Sequence, residues 1–304
     1  MKTVLPPLLA PGARVALVAP SGPLSGEHEL EQALANVHAF GWEAVIGRHA
    51  LSREGFLAGS DDERRADLDL VLRDRTIDGV WFLRGGYGAT RVLDHIDYDA
   101  LRRRPKALIG YSDITAVHCA VHGRTGLVTY HGPTARSRLT AFTTDSLRRA
   151  VVDGEDSTGG APLATPLRGG RASGRIAGGN LALLASLAGT DYAPRFDGAI
   201  AFLEDINEAP YRVDRMLRQL RMAGAFDGVR ALAFGDFGGS TSVAMDETDG
   251  EDWTVERVVA EFATLLRVPA LLGVPIGHID DQWTLPLGCP AEIDVEARAV
   301  HTRR

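Results

Sequence analysis

The chain has 304 residues, of which 45% are hydrophobic and 24% charged, enough apolar material for two buried cores. Its net charge of -7 argues against a surface built to neutralise phosphates along nucleic acid. Only two cysteines, Cys119 and Cys289, are present, which excludes a disulfide framework and fits a reducing, cytoplasmic compartment. No apolar run approaches the roughly 18 residues of a membrane span, and the N-terminal stretch, broken by Pro6 and Pro7, is too short for a signal-peptide core.

In chain order, Arg14 to Ala19 reads as a buried strand. Leu30, Ala33, Leu34, Val37 and Phe40 then recur at helical spacing, with Gly41 placed as a C-terminal cap. Glu43 to Ile46 reads as a short strand, and Ser60-Asp-Asp-Glu63 as a capping box opening a helix to about Arg73. A strand over Ile77 to Leu83 leads into the Gly-rich Arg84 to Gly88, and a helix should follow. Next come a strand over Lys106 to Ile109, the turn Gly110-Tyr-Ser-Asp113 and a helix ending near Gly123. This alternation predicts a parallel sheet covered by helices over residues 1–152. Residues 153–170 are dense in Gly, Pro, Ser and Thr and read as a linker. Over 171–304, strands at 198–203, 229–235 and 271–276 are separated by helical patterns at 180–188, 210–223 and 254–266, a second, mixed α/β domain. The acidic stretch Asp246 to Asp252 reads as an exposed loop within a variable segment, Gly238 to Trp253.

Chemistry-bearing residues fall at the ends of these strands. Gly110-Tyr-Ser-Asp-Ile-Thr115 joins a strand to a helix and is similar in form to a nucleophile elbow, with Ser112 raised at the strand end and the Asp113 amide able to face an oxyanion. Ile114 replaces the second glycine of that pattern, and a helix N-cap explains Ser112 as readily. The exposed amides of the stretch Arg84 to Gly88 offer a second oxyanion donor or an anion site; a plain tight turn is the competing reading. Arg91 stands where a dinucleotide fingerprint needs its third glycine, so phosphate binding is disfavoured. A serine nucleophile needs a base, oriented by an acid. Glu204 and His278 each lie just past an apolar strand, although a solvated acid and a structural histidine are the simpler readings of either alone. His118 and His122 share a helix face but lack the glutamate of a zinc motif, so no metal is expected. The arginines of 210–223 read as a solvated helix face.

Together the motifs resemble one family, the LD-carboxypeptidases of peptidase family S66, which includes the microcin C self-immunity peptidases. The resemblance is carried by Val18-Ala-Pro-Ser-Gly22, Arg84-Gly-Gly-Tyr-Gly88, Gly110-Tyr-Ser-Asp-Ile-Thr115, Tyr130-His-Gly-Pro133, Gly178-Gly-Asn180, Phe202-Leu-Glu-Asp205, Tyr211-Arg-Val-Asp-Arg-Met-Leu217, Gly277-His278 and Leu285-Pro-Leu-Gly288. It implies a flavodoxin-like N-terminal domain with a parallel sheet, a C-terminal α/β domain and a homodimer. It also implies Ser112 as nucleophile, Glu204 as acid and His278 as base, with Asp113 and Gly85 or Gly86 amides as the oxyanion hole and no cofactor. The substrate implied is a muropeptide ending in D-alanine, whose carboxylate Arg84 is suited to bind. The alternatives are a microcin-type peptidase acting on a nucleotide mimic, and a catalytically silent anion-binding protein.

Overall fold

Apolar runs too short to be helices and buried on both faces organise the first half of the chain, as a parallel sheet sandwiched by helices requires. In the computed structural model, which describes residues 2–238 and 253–304, this half contains β1 (Arg14–Val18), α1 (Glu27–Ala39), β2 (Glu43–Ile46), α2 (Asp61–Arg73), β3 (Gly79–Phe82), α3 (Tyr98–Arg103), β4 (Ala107–Gly110), α4 (Thr115–Thr125), β5 (Thr129–His131) and α5 (Ala141–Arg148). The second half contains β6 (Gly159–Gly160), β7 (Thr165–Arg168), β8 (Arg171–Asn180), α6 (Leu181–Ser186), β9 (Ala199–Glu204), α7 (Pro210–Met222), β10 (Ala231–Phe234), α8 (Val255–Leu266), β11 (Ala270–Leu272), β12 (Leu285–Leu287), β13 (Pro290–Asp294) and β14 (Ala299–Thr302). The acidic stretch and most of the variable segment expected over 238–253 lie outside the described residues.

Two units result. The first comprises residues 1–157 with 283–289 and 304, the second residues 158–282 with 290–303. In the first, the sheet order is β12-β5-β4-β3-β1-β2, all parallel except β12, which runs antiparallel to β5. The five parallel strands have flavodoxin-like order, and the connection reverses between β1 and β3. That switch point puts the ends of β1 and β3 where such folds bind ligands, with the end of β4 beside them. Val15, Leu17, Trp81, Leu83 and Ile109 form the core together with Trp42. Trp42 stacks on Phe40 at 4.6 Å and meets Trp81 edge-on at 5.9 Å. Each buried indole keeps a partner, Trp42 Nε1 donating to the Leu9 carbonyl and Trp81 Nε1 to that of Pro133.

In the second unit the order is β6-β14-β13-β8-β9-β10-β11-β7. β8 to β11 are mutually parallel, and antiparallel strands close both flanks. The segment 153–170, expected as linker, carries β6 and β7 at the two edges of this sheet, because edge strands need little apolar content. The strand expected over 271–276 ends at Leu272, since Gly273, at φ +80, turns the chain and both its amide and that of Val274 donate to the Phe234 carbonyl. After the Gly-rich loop, where a helix was expected, two short 3-10 turns precede α3.

α2 begins as its sequence predicts. Ser60 Oγ accepts from the Glu63 amide and Glu63 Oε2 from the Ser60 amide, a reciprocal capping box. We expect Ser60→Ala to lower stability by about 1 kcal/mol, measured by urea denaturation; an unchanged midpoint would remove the cap from the account of this helix.

Candidate active site

β4 ends at Gly110, and Ser112 follows in the left-handed region with φ 63, a conformation a non-glycine residue adopts only where its surroundings impose it. The turn over Ser112–Ile114 runs directly into α4. Ile114, not Ser112, occupies the cap position of α4, and no side chain caps that helix, so the N-cap reading of Ser112 is not met. Ile114 replaces the second glycine of the elbow because it is turned into the core. It is fully buried, and a Cβ on Gly110 would stand 3.1 Å from its side chain. The small residue this elbow needs is therefore Gly110. Beneath it, His118 Nε2 donates to the Gly110 carbonyl at 2.8 Å.

The Gly-rich loop after β3 lies against this turn. A Cβ on Gly85 would fall 2.8 Å from Ser112 Cβ, 3.0 Å from its Oγ and 3.4 Å from the Asp113 nitrogen. The Gly85 carbonyl accepts from the Gly22 amide at 3.0 Å, joining the β1 exit to the loop. Asp113 Oδ2 accepts from the Ala89 amide at 2.8 Å. Burial pushes the Asp113 carboxyl above its ordinary range, with the Ala89 amide and the Arg64 charge opposing the rise. The loop residue Gly85 thus lies against Ser112 and the Asp113 nitrogen, and Gly86 against Gly22. Arg84 is half-buried beside them and donates through Nη1 to the Pro23 carbonyl at 2.5 Å.

In the second unit, Glu204 is the last residue of β9 and is fully buried. Its Oε2 lies 3.0 Å from His278 Nδ1, while Oε1 has no hydrogen-bond partner among the described residues. A buried carboxylate requires a donor, so Nδ1 carries the proton and Nε2 is the basic nitrogen of His278. Gly277 allows the approach. It sits at φ +114, and a Cβ there would press on Glu204 Oε2 at 3.3 Å and on the Asp236 carbonyl at 3.1 Å.

Three further parts escaped the sequence reading. Asp205 accepts from Asn180 Nδ2 and from the Ile206 and Ala182 amides, and Asn180 Oδ1 caps α6 by accepting from Leu183. Burial raises the Asp205 carboxyl to about 6. Gly178 precedes them because a Cβ there would overlap the Phe202 carbonyl at 1.8 Å. The signal was the proximity of Asp205 to Glu204 in one motif and of Asn180 to paired glycines in another. His122 bonds the Leu127 carbonyl at 3.1 Å, so His118 and His122 serve backbone carbonyls, and no group of three metal-ligating residues is placed together among the described residues. On α7, Arg218 pairs with Asp214 at 3.1 Å on the solvated face, as the sequence suggested.

A serine forced into a left-handed turn beside glycine amides, and a histidine held by a buried acid, are parts of hydrolytic enzymes; the comparisons agree that this is a peptidase fold. Family sequence models match residues 15–132 as an LD-carboxypeptidase N-terminal domain and 173–293 as an LD-carboxypeptidase C-terminal domain. The chain belongs to the LD-carboxypeptidase family, peptidase family S66, and is a peptidase by that membership. Among its relatives, a Streptomyces coelicolor protein designated a carboxypeptidase is 38% identical, with 96% of this chain and 94% of that one covered. The murein tetrapeptide carboxypeptidase of Pseudomonas aeruginosa is 33% identical over 92% of this chain and 93% of its own. The solved muramoyltetrapeptide carboxypeptidase of Oxalobacter formigenes is 30% identical with a TM-score of 0.83, covering 95% of this chain and 98% of that one. The microcin C7 self-immunity protein shares the fold, with a TM-score of 0.88 at 22% identity, covering 99% of this chain and 98% of its own.

Full burial lowers the pKa of His118 from 6.5 to about 4. At pH 7 folded and unfolded chains both hold it neutral, but below 6.5 only the unfolded chain takes up the proton. Stability is therefore lost as pH falls from 6.5 to about 4, by about 3 kcal/mol. His118→Gln, which keeps a donor for Gly110, should lack this share of the acid sensitivity in denaturation curves at pH 7 and pH 4. Parallel losses in both proteins would refute the assignment.

Proposed function

We propose that the protein is a serine-type LD-carboxypeptidase that removes a terminal D-alanine from muropeptides by a Ser112, His278 and Glu204 triad. The observation that carries the reading is the left-handed Ser112 turn packed against Gly85, within a chain aligned nearly end to end with a murein tetrapeptide carboxypeptidase. His278 Nε2 takes the hydroxyl proton as Ser112 Oγ attacks the scissile carbonyl. The C–N bond breaks, the same proton passes to the leaving amine of D-alanine, and an acyl-enzyme remains. Water, deprotonated by His278, then attacks the ester; its proton returns to Ser112 and the shortened peptide leaves as a carboxylate. Glu204 orients the imidazole and favours its charged form.

The oxyanion donors of this reading are the Asp113 amide and, of the two candidates in the loop, that of Gly86. The peptide joining Gly85 and Gly86 has its oxygen on Gly22, so its trans N–H points away from Gly22. A peptide plane held by that bond suits a preorganised hole. Arg84, at the root of the same loop, is assigned to the substrate carboxylate. Muropeptide recycling in the cytoplasm by a homodimer completes the proposal. A microcin-type activity is the second reading, favoured by the 0.88 TM-score alone, a likeness of fold.

In a tetrapeptide assay, Ser112→Ala and His278→Ala should lose D-alanine release by on the order of 10⁴-fold or more in kcat, and Glu204→Gln by roughly 10³ to 10⁴. Retained turnover in a folded Ser112→Ala protein would sink the triad. Preference for an aminoacyl-sulfamoyl adenylate over the tetrapeptide would transfer the assignment to the microcin branch. Arg84→Gln should raise KM by about tenfold or more with kcat little changed; an unchanged KM would remove Arg84 from carboxylate recognition.

A further inference from the structure

Arg64 lies outside the proposed triad, yet its guanidinium is fully buried. α2 directs it towards the carboxyl ends of β1 and β3. One nitrogen, Nη1, donates both to the Pro20 carbonyl at 2.5 Å and to the Gly88 carbonyl at 2.9 Å. The other, Nη2, is held by Asp61, which also receives a two-point bond from Arg91. A buried cation is costly to hold unless it is paired and hydrogen-bonded; the bonds of Nη1 and Nη2 offset that cost, while Nε is buried without a partner among the described residues.

The bonds converge on the loop beside Ser112. The peptide group joining Gly88 to Ala89 is gripped at both ends, its oxygen by Arg64 and its N–H by the carboxylate of Asp113. Gly88 is a glycine because its conformation, φ +135, and the guanidinium leave no room, a Cβ falling 2.7 Å from Nη1. On the other side, Pro20 stands two residues before Gly22, whose amide holds the Gly85 carbonyl. The two loops are therefore tied at two points, by Arg64 at Pro20 and Gly88 and by backbone at Gly22 and Gly85.

We propose that Arg64 is a positioning residue: by clamping the exits of β1 and β3 together, it fixes the direction of the Gly-rich loop amides that face the developing oxyanion. The proposal rests on the serine-peptidase reading above. Arg64 touches no reacting atom, so its removal loosens an interaction needed in the transition state and leaves ground-state substrate binding intact. A lysine in its place keeps the buried charge, but its single nitrogen cannot hold the Pro20 and Gly88 carbonyls as Nη1 does and Asp61 as Nη2 does at the same time.

The test compares wild type, Arg64→Lys, Arg64→Met and Ser112→Ala on a tetrapeptide ending in D-alanine, with folding followed by circular dichroism. Arg64→Met should lower kcat by roughly tenfold to a hundredfold, less than the loss of a whole donor, with KM held within about threefold. Arg64→Lys should fall between it and wild type. The affinity of a peptide boronate, which mimics the tetrahedral intermediate, should fall in the same ratio as kcat/KM, while tetrapeptide binding to the Ser112→Ala protein carrying the same Arg64 change stays constant. Wild-type kcat in a folded Arg64→Lys protein, or a rise in KM that accounts for the whole loss, would overturn the proposal. Arg64→Lys decides alone if Arg64→Met does not fold. A failure of the triad reading appears separately, as turnover in Ser112→Ala.

Discussion

The backbone of Ser112 stands in a left-handed conformation that costs a non-glycine residue about 1–2 kcal/mol. Around it the first unit is arranged to leave that residue no alternative. Gly110 makes room for Ile114 behind the turn, and His118 fixes the Gly110 carbonyl beneath it. Gly85 closes over the front, and Asp113 is tied forward to Ala89. The backbone of this turn is thus fixed by packing on both sides and by the ties of its neighbours.

Desolvation plays the corresponding part in the second unit. β9 ends in two carboxylates, and the alternation of a strand sends successive side chains to opposite faces. Glu204 goes to His278, and Asp205 to the amides that open α6. One acid is given an imidazole as its partner and the other several neutral donors, so adjacent carboxylates have different surroundings. Gly277 leaves room beside Glu204, and Asn180 donates to Asp205.

Much of this was legible in the residues. Strands β1, β3 and β4 announce themselves because both faces are apolar, and Ser60 with Glu63 writes its own cap. Ser112, Glu204 and His278 stood out as candidates because each lies at or beyond the end of an apolar run in the sequence. β8 could not be seen, since Arg171–Asn180 carries five glycines or alanines and no alternation, and its pairing with β9 depends on backbone approach. Arg64 was hidden for a different reason. In the sequence it is one of two adjacent arginines on a charged helix, and only the fold distinguishes the buried one, Arg64, from its neighbour Arg65. The Gly85 carbonyl was likewise illegible, because its partner, the Gly22 amide, lies far away in sequence.

β12 has a bearing on how this protein can be divided. Residues 283–289 leave the second unit shortly after His278 and complete the first sheet, where Leu285–Leu287 pairs with Thr129–His131. Thr284 is built into the same region, its carbonyl accepting from Ser157 Oγ and its amide donating to Ser146 Oγ. A fragment cut after the first half would carry every parallel strand of its sheet and the proposed nucleophile, yet it would expose the long side of β5 as a naked edge able to recruit other chains. Gene fragments for separate expression, or insertion points for a reporter, therefore have to respect a boundary that the chain crosses more than once.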